Sequence, residues 1–80
     1  MHFTTDSYSI NKKFELELAH LGDLSKFSFL QLRNELDQFQ TIIDNFGTYF
    51  LATFESPYSF LQIKYDSSGN FVRILDQYWK

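Results

Sequence analysis

Between Phe27 and Gly47 the apolar positions recur at alternating spacings of three and four. Phe29, Leu32, Leu36, Phe39, Ile43 and Phe46 fall on one helical stripe, which Leu30 and Ile42 widen. Arg33, Asn34, Glu35, Asp37, Gln38 and Thr41 make its wet side. Ser28 followed by Gln31 fits a capping box, in which the hydroxyl accepts the Gln31 N–H and the glutamine side chain reaches back. Phe27 and Leu32 then stand at the staple positions. Gly47 supplies a left-handed stop. The pattern predicts one long amphipathic helix from Ser28 to Phe46.

Three strands are predicted after it. TYFLATFE is aromatic and compact, and Ser56-Pro57-Tyr58 breaks it with a turn. SFLQIKYD and NFVRILDQY flank Asp66-Ser67-Ser68-Gly69, where the glycine can take the positive φ of a hairpin turn. These segments read as an antiparallel meander.

The N-terminal segment carries two periods at once. Ser7, Ser9, Asn11, Lys13, Glu15 and Glu17 are polar; the alternate positions Tyr8, Ile10, Phe14, Leu16 and Leu18 are apolar, with Lys12 the exception. That is the period of a strand. Ile10, Phe14, Leu18 and Leu21 also share a helical face, with Gly22 as a stop and Leu16 on the wrong side. Each reading misplaces one residue, and the strand, which misplaces only Lys12, is preferred. The expected fold is a single α+β domain over 1–80, one long helix on an antiparallel sheet, in the order β-α-β-β-β. The helical reading would make the order α-α-β-β-β.

The strands are apolar on both sides, where a one-sided antiparallel sheet alternates cleanly. Phe50, Ala52 and Phe54 oppose Tyr49, Leu51, Thr53 and Glu55; Leu61, Ile63 and Tyr65 oppose Phe60, Gln62 and Lys64. In the last strand Val72, Ile74 and Asp76 oppose Phe71, Arg73, Leu75 and Gln77. An even-numbered loop groups Leu61, Ile63 and Tyr65 with Val72 and Ile74, whereas a three-residue loop groups them with Phe71 and Leu75. One residue of slip exchanges the faces. In either register some large apolar side chains point away from the helix. The N-terminal segment or Tyr78-Trp79 could fold over them. A protein partner or a second copy could cover them, since apolar patches on small proteins mark interfaces. Bases could stack on them, as in single-strand binders.

Composition sharpens these options. Aromatics make up 20% of the 80 residues, and there is no cysteine, so disulfides and thiolate metal sites are excluded. The net charge of -3 opposes a phosphate-tracking surface, so nucleic acid is the weaker option. No apolar run reaches the ~18 residues of a membrane span, and no basic-then-apolar leader opens the chain. A cytoplasmic protein is expected.

Candidate chemistry is thin. His20 and Asp23 could hold a metal or pass a proton, but no third ligand is evident; a loop histidine beside an aspartate that caps a short turn is the preferred reading. Glu15 and Glu17 would share a strand face, which suits solvation. Gly22, Gly47 and Gly69 are isolated, and no serine stands in a nucleophile elbow. The residues point to a non-enzymatic binding protein without cofactor or metal. It would regulate or inhibit a protein partner, or pair with itself. The candidate contact residues are Tyr49, Phe60, Phe71, Leu75, Tyr78 and Trp79.

Overall fold

Two helices precede a four-stranded antiparallel meander in the computed structural model, which describes residues 2–56 and 59–79, with side chains over 12–56 and 59–78. The elements are α1 (His2–Leu21), a 3-10 turn (Leu24–Lys26), α2 (Phe29–Glu35), β1 (Gln40–Asn45), β2 (Tyr49–Ser56), β3 (Ser59–Asp66) and β4 (Phe71–Trp79). Spatial strand order follows the chain, β1-β2-β3-β4. The class is α+β as expected. The order, α-α-β-β-β-β, differs from both sequence readings.

The N-terminal segment is helical rather than extended. Lys12 to Ala19 is rich in good helix formers. The turn spacing puts Phe14 and Leu18 in the core and leaves Leu16 64% exposed. Gly22 ends the helix at φ 75°, its N–H donating to the Leu18 carbonyl. Ile10, the other member of the predicted face, lies outside the described side chains.

The long helix is not borne out. Its start is as expected: Ser28 Oγ accepts from Gln31 N at 3.3 Å, and Gln31 Oε1 accepts from Ser28 N at 2.9 Å. The helix then stops at Glu35, and 40–45 forms an edge strand. The physical cause is local. Thr41-Ile42-Ile43 is a β-branched run, stiff at χ1 and better suited to a pleated surface. Asn45 Oδ1 accepts from Gly47 N at 2.8 Å, and Gly47 sits at φ 87°, so this glycine turns a hairpin instead of ending a helix. The stripe looked continuous because Leu36 and Phe39 stay buried through the turn that follows α2. Ile43 and Phe46, its supposed continuation, are 46% and 54% exposed.

Both helices lie on one face of the sheet. Phe14, Leu18, Leu24, Phe29, Leu32 and Leu36 pack against Ala52, Phe54, Leu61, Ile63 and Tyr65. Phe29 is central: its ring meets Phe50 edge-on at 5.0 Å and Tyr65 at 5.6 Å. Its backbone N–H donates to the Gly69 carbonyl at 2.9 Å, which ties the start of α2 to the β3–β4 turn. In that turn Asp66 Oδ1 accepts from the N–H groups of Ser68 and Asn70, both at 2.9 Å.

The β3–β4 register combines the two alternatives. Tyr65 pairs with Phe71, but Ile63 pairs with Ile74 and Leu61 with Gln77, because the register shifts twice along β4. Each shift lets one extra β4 residue, Val72 and then Leu75, stand without a partner, as in a β-bulge. Phe71 and Ile74 therefore both follow the inner face, which neither simple loop length predicts.

Candidate protein-binding face

Cross-strand partners share a face, so the register defines the side of the sheet away from the helices. One row runs Gln40, Glu55, Phe60, Tyr78; the next Ile42, Thr53, Gln62, Asp76; the third Asp44, Leu51, Lys64, Arg73. Tyr49 and Asp66 close the far end, beside Phe46. Within the described core, the side chains packed against the sheet come from its other face.

This outer face has a polar middle and an aromatic patch toward each end. At one end Phe60 and Tyr78 stack with centroids 5.0 Å apart and planes 13° apart. At the other, Phe46 stacks on Tyr49 at 5.1 Å, and the Lys64 ammonium lies 4.4 Å over the Tyr49 ring. Between them Gln62 Nε2 donates to Thr53 Oγ1 at 3.3 Å. Thr53 is buried by its longer neighbours although it faces outward. Such stacked and cation–π pairs hold large side chains in fixed positions, which lowers the entropy lost when a partner covers them.

The predicted contact residues divide. Tyr49, Phe60 and Tyr78 share the outer face. Phe71 does not join them: it packs on the inner face, edge-on to Tyr65 at 6.4 Å. Leu75 stands half-buried at a bulge. Trp79 pairs with Ser59 through the backbone, and its side chain lies outside the described residues. The turn predicted at Pro57-Tyr58 also lies outside them. Phe46 and Ile42 were missed as members of this face, because 41–46 read as helix. The signal that could have found them is the β-branched run followed by Asn45 and Gly47.

The chemistry candidates have structural roles. Asp23 Oδ1 accepts from Ser25 Oγ at 2.7 Å and Ser25 N at 3.0 Å, capping the 3-10 turn. The Ser25 hydroxyl, then its N–H, hold the Asp23 carboxyl below its ordinary pKa. His20 is exposed at the end of α1. Glu15, with Glu17 two residues on along the same helix, faces Lys12 at 3.7 Å. Among the described residues no three His, Asp or Glu side chains converge. A shallow pocket of about 430 Å³ lies between α2 and β1, lined by Leu30, Arg33, Asn34, Asp37, Phe39 and Thr41. No described helix is long and apolar enough to cross a membrane.

Comparison with protein-family models, curated proteins and solved structures finds no match to this chain.

Proposed function

We propose that the chain is a small non-enzymatic protein-binding domain that regulates or inhibits a partner by occupying its surface with the outer sheet face. The observation that carries this reading is the pair of stacked aromatic patches, Phe46–Tyr49 and Phe60–Tyr78, on the side of the sheet opposite the helices. Aromatic anchors dominate the energetics of protein interfaces, and a charged rim sets approach and partner choice. Among the described residues, four carboxylates, from Asp44, Glu55, Asp66 and Asp76, share this face with two cations, Lys64 and Arg73. That balance favours a basic or mixed protein surface. It opposes a single-stranded nucleic acid, whose affinity rests on phosphate neutralisation, and Lys64 is already engaged with Tyr49.

The test is capture from the native host with the full chain as bait, followed by titration of the captured protein in purified form. Tyr49→Ser and Phe60→Ser should each weaken binding at least about tenfold, as expected for anchor residues. Leu16→Ser, on the exposed side of α1, should not. Binding that survives both outer-face changes overturns the reading. A partner held only at low salt, lost as salt rises and replaceable by single-stranded oligonucleotides, would favour the nucleic-acid alternative.

A further inference from the structure

The two edges of the sheet are built differently. β4 is irregular: its register shifts twice, and Arg73 and Asp76 stand along it. Bulges and charges are the usual devices that keep a free edge from pairing with another chain. β1 has none of them beyond Asp44. Its six residues hold one unbroken register with β2, contain no Pro or Lys, and leave Ile42 and Ile43 exposed on opposite faces.

The phase of its hydrogen bonding follows from the adjoining turn. Phe46 N donates to the Tyr49 carbonyl at 3.0 Å, in the same register that pairs Asn45 with Phe50. Hydrogen-bonded and non-bonded pairs alternate along an antiparallel ladder. Asp44, Ile42 and Gln40 therefore exchange bonds with β2, while Thr41, Ile43 and Asn45 turn their N–H and C=O groups outward. Such an edge can accept an antiparallel strand.

We infer that β1 is a self-association edge, paired with β1 of a second copy about a two-fold axis normal to the sheet at Ile42. Such an axis preserves the faces, so only residues of like parity can oppose each other. Centred on Ile42, Ile42 meets its own equivalent, Thr41 meets Ile43, and Gln40 meets Asp44. Apolar or β-branched residues then oppose their like, and each carboxylate faces an amide instead of another carboxylate. The outward N–H and C=O groups of Thr41 and Ile43 bond reciprocally. Centring on Ile43 would instead set Ile42 against Asp44 twice.

The flank beside the edge fits the same symmetry. The pocket between α2 and β1 is bordered by Leu30, 65% exposed, and by Arg33 and Asp37. A two-fold reverses their order, so Arg33 of one copy is set against Asp37 of the other. The helices add area that a strand pair alone lacks. This inference is independent of the outer-face reading, since a monomeric chain would sink it and leave that reading intact.

The experiment is sedimentation of the full chain over a concentration series, with circular dichroism to confirm folding of each variant. The wild type is expected to dimerise. Ile42→Lys and Ile42→Asp, at a side chain 41% exposed, should each give monomers, and their mixture should restore the dimer. Ile74→Lys, at a comparable exposure of 38% near the β4 edge, should leave the dimer intact. The chain has no native cysteine. Ile42→Cys should therefore oxidise to a linked dimer much faster than Ile74→Cys, because non-bonded antiparallel pairs bring Cα atoms to about 4.5 Å, within disulfide reach. A wild type that is monomeric throughout overturns the inference. So does a dimer that tolerates Ile42→Lys, or a mixture of the two charged variants that stays monomeric.

Discussion

Tyr65 is fully buried, yet its hydroxyl has no hydrogen-bond partner among the described residues. Its ring is held by Phe29, Phe50 and Phe71. Tyr65→Phe keeps those contacts and deletes only the hydroxyl. A buried, unsatisfied hydroxyl costs about 1–3 kcal/mol of lost hydration. Deleting its oxygen gives up a few dispersion contacts, roughly 0.5 kcal/mol in all. The variant should therefore be more stable by about 1 kcal/mol, a rise in Tm of roughly 4–8 °C for a domain of this length. Thermal and urea unfolding followed by circular dichroism measure it.

A second readout comes from pH. Burial raises the Tyr65 pKa, so the fold holds the neutral form while the unfolded chain ionises near pH ~10. Above that pH the unfolded state binds fewer protons, and stability falls as pH rises. The wild type should lose stability there, and Tyr65→Phe should lack that part of the loss. If Tyr65→Phe instead destabilises the protein by about 1 kcal/mol or more, the hydroxyl makes a hydrogen bond and the reasoning fails.

Three further outcomes follow from the packing and the turns. Phe71→Ser, on the inner face, should cost about 2 kcal/mol, less than the ~3–5 of a fully buried Phe truncation; Phe60→Ser should cost about 1 kcal/mol by losing one cross-strand stack, and equal losses in urea titrations would contradict the facial assignment. Ser28→Ala removes the α2 cap and should cost about 1 kcal/mol, with Ser28→Thr retaining most of it; a neutral alanine variant would mean that Gln31 alone holds the helix start. Asp23 is held below its ordinary pKa by Ser25, and Asp66 first by the Asn70 N–H, so both stabilise the fold when charged. That stability is complete above the ordinary carboxylate range and is lost as pH falls through the lowered folded values. Acid unfolding curves should steepen below pH ~4, and a double alanine variant with an unchanged acid limb would refute the assignment.

The sequence was most legible where a local signal and the tertiary fold agree. Ser28 and Gln31 cap α2 because a capping box is satisfied within four residues. The meander was legible for a similar reason, since Gly69 and the Asx geometry of Asp66 make a turn whatever lies around them. The segment 36–46 was not legible, because Leu36 and Phe39 continue the helical spacing through a turn. Whether Thr41-Ile42-Ile43 extends as strand depends on β2, a partner the local pattern does not contain. The N-terminal segment failed differently. Its strand and helix periods differ by Leu16 and Lys12, and exposing one leucine on a helix costs little. The face bearing Tyr49, Phe60 and Tyr78 was legible in kind, as an excess of aromatics. Phe71 was misplaced with them because its face is set by the β3–β4 loop, which pairs it with Tyr65, and the local pattern leaves that loop length open.

The outer face and the β1 edge are linked by the geometry of the sheet. Over the six residues of β1, where all four strands pair, a spacing of ~4.8 Å and a rise of ~3.3 Å give a face of about 400 Å². That is near half of the ~800 Å² a partner contributes to a stable interface. One copy alone is therefore limited to a weak contact at two aromatic anchors. A two-fold normal to the sheet keeps both outer faces on the same side, so pairing at β1 makes one eight-stranded platform of about 800 Å². A partner that spans the join would meet four anchors instead of two. Ile42→Lys would then weaken partner binding without touching Tyr49 or Phe60, and would do so most for a partner that is itself two-fold, through lost avidity. Phe60→Ser would weaken binding in the monomer and the dimer alike. The two variants thus separate anchoring from assembly, and their effects should combine additively only if the partner binds within one copy.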